Sequence, residues 1–189
     1  MKKLLALAST LTFVFAVNPA ARAGDAKAAV KPSSSPESVV YDAASAFDFL
    51  KTLAGTWERS GSGHEHGGKS KLNTFRVSSG GSSVIETIFP GEADEMITVY
   101  HMNGPDLLLT HYCALQNAPV MKFVKSDTPG EIKFVFAGGT NFDPKTDMHV
   151  HEGTYRVKSV NAIEADFVVF NDGKVDSKVN SLLKRKQLK

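Results

Sequence analysis

Two histidines one residue apart, in His149-Val-His151-Glu-Gly-Thr-Tyr-Arg156-Val-Lys158, are the side chains best placed to do chemistry in this sequence. A neutral imidazole can ligate a transition metal, act as a general base, or hydrogen-bond a polar ligand near neutral pH. On a strand, successive side chains point to opposite faces. His149, His151, Gly153, Tyr155 and Val157 therefore share one row, and Glu152, Thr154, Arg156 and Lys158 the other. The second row is polar and belongs in water, which turns the histidine row inward. A second group, Thr110-His111-Tyr112-Cys113, carries an imidazole and a thiol on one face of another expected strand. With that face inward, His111 and Cys113 would meet His149 and His151 across an interior space, with His101 as a further member. Such a set suits a transition metal held by His149, His151 and His111. It equally suits a polar ligand pocket shared with Tyr155, Asn141 and Phe142. The bland alternative is a group of interior polar residues satisfied by Tyr112, Asn117, Asn141 or trapped water.

Other candidates carry less. His64-Glu-His66 sits among Gly61, Gly63, Gly67 and Gly68, which reads as a solvated connection that preorganises nothing. Cys113 and His111 lie two apart on one strand face, too far for a nucleophile and its base without strong bending of both side chains. An inert, buried cysteine is the expectation. Gly138-Gly139-Thr140 follows a strand without opening a helix, so turn chemistry rather than phosphate binding explains it. No nucleophile elbow or paired-carboxylate motif occurs elsewhere. The loop from Gly138 to Asp147 leads straight into His149, and Phe142 within it is placed to act as a lid over an opening.

Which elements position these groups? Val39, Ala43, Phe47, Leu50 and Ala54 fall near one face of a helix over about Val39 to Leu53, with Gly55 placed to end it. The period then changes to two. Strands are expected at Thr56–Arg59, Lys71–Ser79, Ser83–Phe89, Glu95–Met102, Leu107–Ala114, Val120–Ser126, Glu131–Ala137, Met148–Lys158, Ala162–Asn171 and Val175–Lys186. Turn signals such as Asn103-Gly104-Pro105-Asp106, Thr128-Pro129-Gly130 and Asn171-Asp172-Gly173 separate several of them. About ten antiparallel strands in sequence order describe an all-β meander, and closure into an up-and-down barrel removes its exposed edges. Alternation places Ile132, Phe134 and Phe136 inside, with Ile163, Ala165, Phe167 and Val169, and Ile85, Thr87 and Phe89; Lys133, Glu164, Asp166 and Glu86 go outside. A barrel of this size can keep a cavity for a small ligand.

Lys2 and Lys3, the apolar run Leu4 to Val17, and Ala21-Arg22-Ala23 have the order of a secretory signal peptide cleaved after Ala23. Gly24 to about Glu37 reads as a flexible leader, and one barrel domain follows over 38–189. The mature chain is expected in the periplasm or secreted, with no membrane partner after cleavage. Loss of Lys2, Lys3 and Arg22 takes the formal charge from +2 to −1, which argues against a nucleic-acid partner. Cys113 is the single cysteine, so no intramolecular disulfide supports the fold.

Phe47-Asp48-Phe49-Leu50, then Leu53-Ala54-Gly55-Thr56-Trp57-Glu58, resembles the opening of calycin barrels: lipocalins, fatty-acid-binding proteins and especially nitrobindins. Thr98-Val-Tyr100-His101, Leu109-Thr110-His111-Tyr112-Cys113-Ala114, Asn117-Ala-Pro119 and Gly139-Thr140-Asn141 are similar to a group of exported bacterial lipocalin-like barrels. The resemblance covers about Phe47 to Arg185. It implies a calycin barrel with Trp57 plugging one end, and it implies no reaction. The nitrobindin branch would imply haem held by a histidine in the last strand, but Val175 to Arg185 contains none, which disfavours haem. The expectation is a small-molecule-binding barrel with a partly apolar, histidine-lined lumen. The competing readings are an enzyme using those histidines, metal-dependent or acid–base, and a filled barrel with a structural role.

Overall fold

The computed structural model describes residues 35–61 and 71–187. The expected signal segment and nearly all of the leader, together with His64 and His66, lie outside the described residues. Ten antiparallel strands form a closed barrel in which every sequential pair is joined and the first strand pairs with the last. They are β1 (Gly55–Gly61), β2 (Lys71–Ser78), β3 (Ser83–Ile88), β4 (Met96–Asn103), β5 (Asp106–Tyr112), β6 (Ala118–Val124), β7 (Glu131–Thr140), β8 (His149–Ser159), β9 (Ala162–Asn171) and β10 (Lys174–Arg185). One helix, α1 (Ala43–Thr52), precedes them. No described helix is long and apolar enough to cross a membrane. The architecture is consistent with a calycin-like fold.

The helix begins later than its apolar period suggests, because Asp42 caps it. The Asp42 carboxylate accepts from the Ser45 N–H at 2.8 Å, and the Ser45 hydroxyl accepts from the Asp42 N–H at 2.9 Å. This reciprocal pair satisfies two donors that a helix start otherwise leaves bare. Ala46, Phe47, Phe49 and Leu50 are its buried face, set against the barrel end that Trp57 fills. Trp57 donates its indole N–H to the Leu53 carbonyl at 2.8 Å and meets Phe75 edge-on at 6.2 Å. Gly55 opens β1 rather than ending the helix, at φ +132°, a backbone state that side chains disfavour.

Arg185 locks this end. Its guanidinium lies 4.4 Å over the Trp57 ring and donates at 2.8 Å to both the Ala54 and Thr52 carbonyls at the helix exit. Thus β10, last in sequence, holds the plug formed by the first elements. The connections β3–β4, β5–β6, β7–β8 and β9–β10 gather at the opposite end of the barrel.

Alternation holds for most strands. Gly153, Tyr155 and Val157 are buried on β8, as are Ile132 and Phe134 on β7 and Ile163 and Ala165 on β9. On the outer row Lys158 pairs with Glu164, and Arg156 bridges Glu131 and Asp166. Strand β3 runs in the opposite phase to the expectation. Val84, Glu86 and Ile88 are its inner row, and Glu86 is buried, while Ile85 and Thr87 are only half-buried.

Candidate functional site

A cavity of about 510 Å³ occupies the barrel interior towards the end opposite the helix. Ile88, Met96, Leu115, Val150, Phe167 and Val169 supply much of its apolar wall, and Arg59, Asp94 and Lys178 are its charged residues. Its size lies in the ordinary range for small-molecule sites.

Beneath it lies a buried polar cluster. The Tyr100 and Tyr155 hydroxyls both donate to one oxygen of the Glu86 carboxyl, at 2.7 and 3.0 Å, and stand 2.6 Å from each other. Asn73 donates to the other Glu86 oxygen at 2.6 Å. Burial raises the Glu86 pKa above its ordinary range, against the pull of these donors and of the nearby Arg59 charge. Burial, and next the proximity of Glu86, likewise raise both phenols well above theirs. The result is a fully desolvated carboxyl held by two uncharged tyrosines.

His111 joins this floor to the cavity. It is buried, it lines the cavity, and its Nδ1 is 2.9 Å from the Thr98 hydroxyl. Burial, with Arg59 adding to it, pulls the imidazole down to about 4, so the ring is neutral near neutral pH. Its Nε2 makes no hydrogen bond among the described residues. Arg59 stands on the same β1 row as Trp57, and its guanidinium lies 5.4 Å over the Phe89 ring.

The cavity wall does not include the other histidines. Opposite β9 the strand β8 carries a bulge: Val150 pairs with Val169 and Glu152 with Val168, so His151 has no register partner there. The bulge shifts the phase of everything before it. Val150 and Val169 line the cavity, and the next pair, His149 with Phe170, falls on the other face of the sheet. His149 is buried, yet among aromatic rings rather than in the lumen. Phe142 is 4.7 Å from it and Phe136 5.1 Å, while His151 stacks between Phe170 at 3.8 Å and Phe136 at 4.7 Å. The two imidazoles share a bond of 2.9 Å between His149 Nε2 and His151 Nδ1, and His149 Nδ1 is engaged by the Asp147 carbonyl at 2.8 Å. Burial, then His149, lowers the His151 pKa. Neither ring lines the cavity.

Phe142 is thus packed into this aromatic cluster, not poised over the opening, and Phe136 packs there as well. Asn141 donates to the Gln116 carbonyl beside exposed Tyr112, in a shallow outer groove. His101 alternates with the buried Tyr100 and so faces outward. Cys113 does reach the cavity wall, with its sulfur 4.0 Å from that of Met96, and burial raises its thiol pKa, the opposite of an activated nucleophile. His111, Cys113, His149 and His151 do not converge, and the described residues contain no group of three or more His, Cys, Asp or Glu side chains placed to hold a metal ion.

Arg59 and Glu86, with Asn73, Thr98 and Tyr100 beside them, escaped the sequence reading. Arg59 was available from strict alternation after Trp57. Glu86 was not, because both rows of β3 carry two aliphatic or aromatic side chains and a lone carboxylate tips the choice towards solvent. No protein-family model matches the chain, and comparison with curated proteins finds no match.

Proposed function

We propose that this chain is a calycin-type carrier that binds a small, largely apolar molecule in its lumen. The carrying observation is the cavity of about 510 Å³, with an aliphatic and aromatic wall and two polar groups, Arg59 and His111, at its inner side. Apolar walls supply affinity through area removed from water, and a few fixed polar groups supply orientation. A barrel with a purely structural role would have this volume packed by side chains, as its helix-plugged end is. The N-terminal residues support export with cleavage after Ala23, and on this reading the carrier works in the periplasm or outside the cell. The intact mass of the exported protein, beginning at Gly24, checks that part.

The binding reading is tested with N-phenyl-1-naphthylamine, an uncharged probe that brightens in apolar surroundings. Saturable enhancement at one equivalent is expected, with loss of binding in Val169→Trp, which fills the cavity. No enhancement with the folded wild-type protein would overturn it.

A further inference from the structure

We propose that the lumen is an organic-anion receptor: its ligand carries one compact acidic group, a carboxylate in the simplest case, seated between the Arg59 guanidinium and His111 Nε2. This rests on the small-molecule reading above and specifies the charge of the ligand.

Arg59 is an unanswered cation. It lines a mostly apolar cavity, and among the described residues its guanidinium makes no hydrogen bond or ion pair; the Phe89 ring face lies 5.4 Å from it. A guanidinium drawn from water without a counter-charge is costly, so the wall is incomplete until an anion sits against it.

The nearest carboxyl does not fill that role. Glu86 makes no ion pair with Arg59, and both its oxygens are taken by Asn73, Tyr100 and Tyr155. Three oxygens, one each from Glu86, Tyr100 and Tyr155, form a triangle with sides of 2.7, 3.0 and 2.6 Å. Two phenols supply two protons for three contacts. With both phenol protons directed at Glu86, the 2.6 Å Tyr100–Tyr155 contact has none; it gains one only when the carboxyl brings a third and one phenol turns to the other, which is the neutral acid. Burial of Glu86 on all sides favours the same form. The groups facing it are Asn73 from β2, Tyr100 from β4, Tyr155 from β8 and Arg59 from β1, and Arg59 alone carries charge.

His111 adds a second donor. The Thr98 hydroxyl can donate to Nδ1, which leaves the ring proton on Nε2, the nitrogen without a protein partner. Arg59 and His111 then offer two donors to one cavity, and the guanidinium charge makes an oxyanion a better match than a neutral carbonyl and a ligand cation a mismatch. Asp94 also lines the cavity, but it lies in the β3–β4 connection at the far end from the helix. The acid therefore points inward, with the apolar body running towards that end.

The test compares 1-pyrenebutanoic acid with 1-pyrenebutanamide, which share shape and apolar body and differ in charge. Titrations are followed by pyrene fluorescence at neutral pH. The acid is expected to bind at least tenfold more tightly than the amide. Arg59→Gln should bring the two together by weakening the acid while sparing the amide, and His111→Asn should narrow the gap in part. Circular dichroism verifies each fold, and the wild-type comparison needs no variant. Equal binding of acid and amide by the wild type, or a preference that survives Arg59→Gln, overturns the anion assignment and leaves the carrier reading standing. If neither pyrene compound nor phenylnaphthylamine binds, both fall.

Discussion

Replacing Glu86 by Gln should cost stability by an amount that shrinks as pH rises. In the folded protein burial raises the Glu86 pKa above its ordinary 4.5. The folded state therefore keeps a proton that the unfolded chain has already released. Such a group contributes its full stability below the ordinary carboxylate range and loses it as pH climbs towards the raised pKa. The glutamine variant has nothing to titrate. Its amide brings two protons to a triangle already holding two phenol protons, four for three contacts, so one buried donor goes unmet at a cost of about 1–3 kcal/mol. Wild type should lead by about that amount near pH 5. The lead then shrinks by up to ~1.4 kcal/mol per pH unit as pH climbs from the ordinary carboxylate range towards the raised pKa. Urea denaturation of both proteins at several pH values, followed by circular dichroism, gives the difference directly. All other titrating groups are common to the two chains and cancel. A lead that stays constant or grows with pH would refute the reasoning: Glu86 would then be ionised in the fold, with Arg59 as its counter-ion.

His111 has the opposite sign. Its pKa is depressed from 6.5 to about 4, chiefly by burial, so its contribution is complete above 6.5 and disappears as pH falls through the depressed value. Over that span it amounts to about 3 kcal/mol, and the advantage of wild type over His111→Asn should grow accordingly when urea midpoints at pH 4.5 and 7 are compared; a flat difference would count against a neutral buried ring. His149→Ala should cost about 3 kcal/mol by emptying space among Phe136, Phe142 and Phe170, yet leave phenylnaphthylamine affinity within twofold. Loss of probe binding in a folded His149→Ala protein would put that ring back in the lumen.

The barrel was legible because its evidence is redundant. Ten short segments with period two and intervening turn signals leave little other than a closed meander, and the Trp57 motif marks the plugged end. Single phases are less secure. On β8 the burial of Gly153, Tyr155 and Val157 follows the alternating row as expected, but the row does not continue to His149. A bulge needs one residue without a register partner, and no residue type in Val150-His151 announces it. On β3 the two rows are nearly equal in apolar content, so one carboxylate decided the phase, and decided it wrongly. What rescued Glu86 inside the protein were hydroxyls and an amide from three other strands, Asn73, Tyr100 and Tyr155. No local pattern contains that information.

The joint between β1 and β10 has a temporal meaning. Arg185 reaches back to the Ala54 carbonyl across 131 positions of chain, and Trp57 to Gly61 pair with Ser181 to Arg185. Neighbouring hairpins from β2 to β9 can zip up locally, whereas this closing contact must bring two distant stretches together and is entropically the dearest to make. Any chain cut short before Ser181 would keep two raw sheet margins and an unlatched stopper, a species prone to stick to its own kind. The lumen therefore exists as an enclosed compartment only once β10 has arrived.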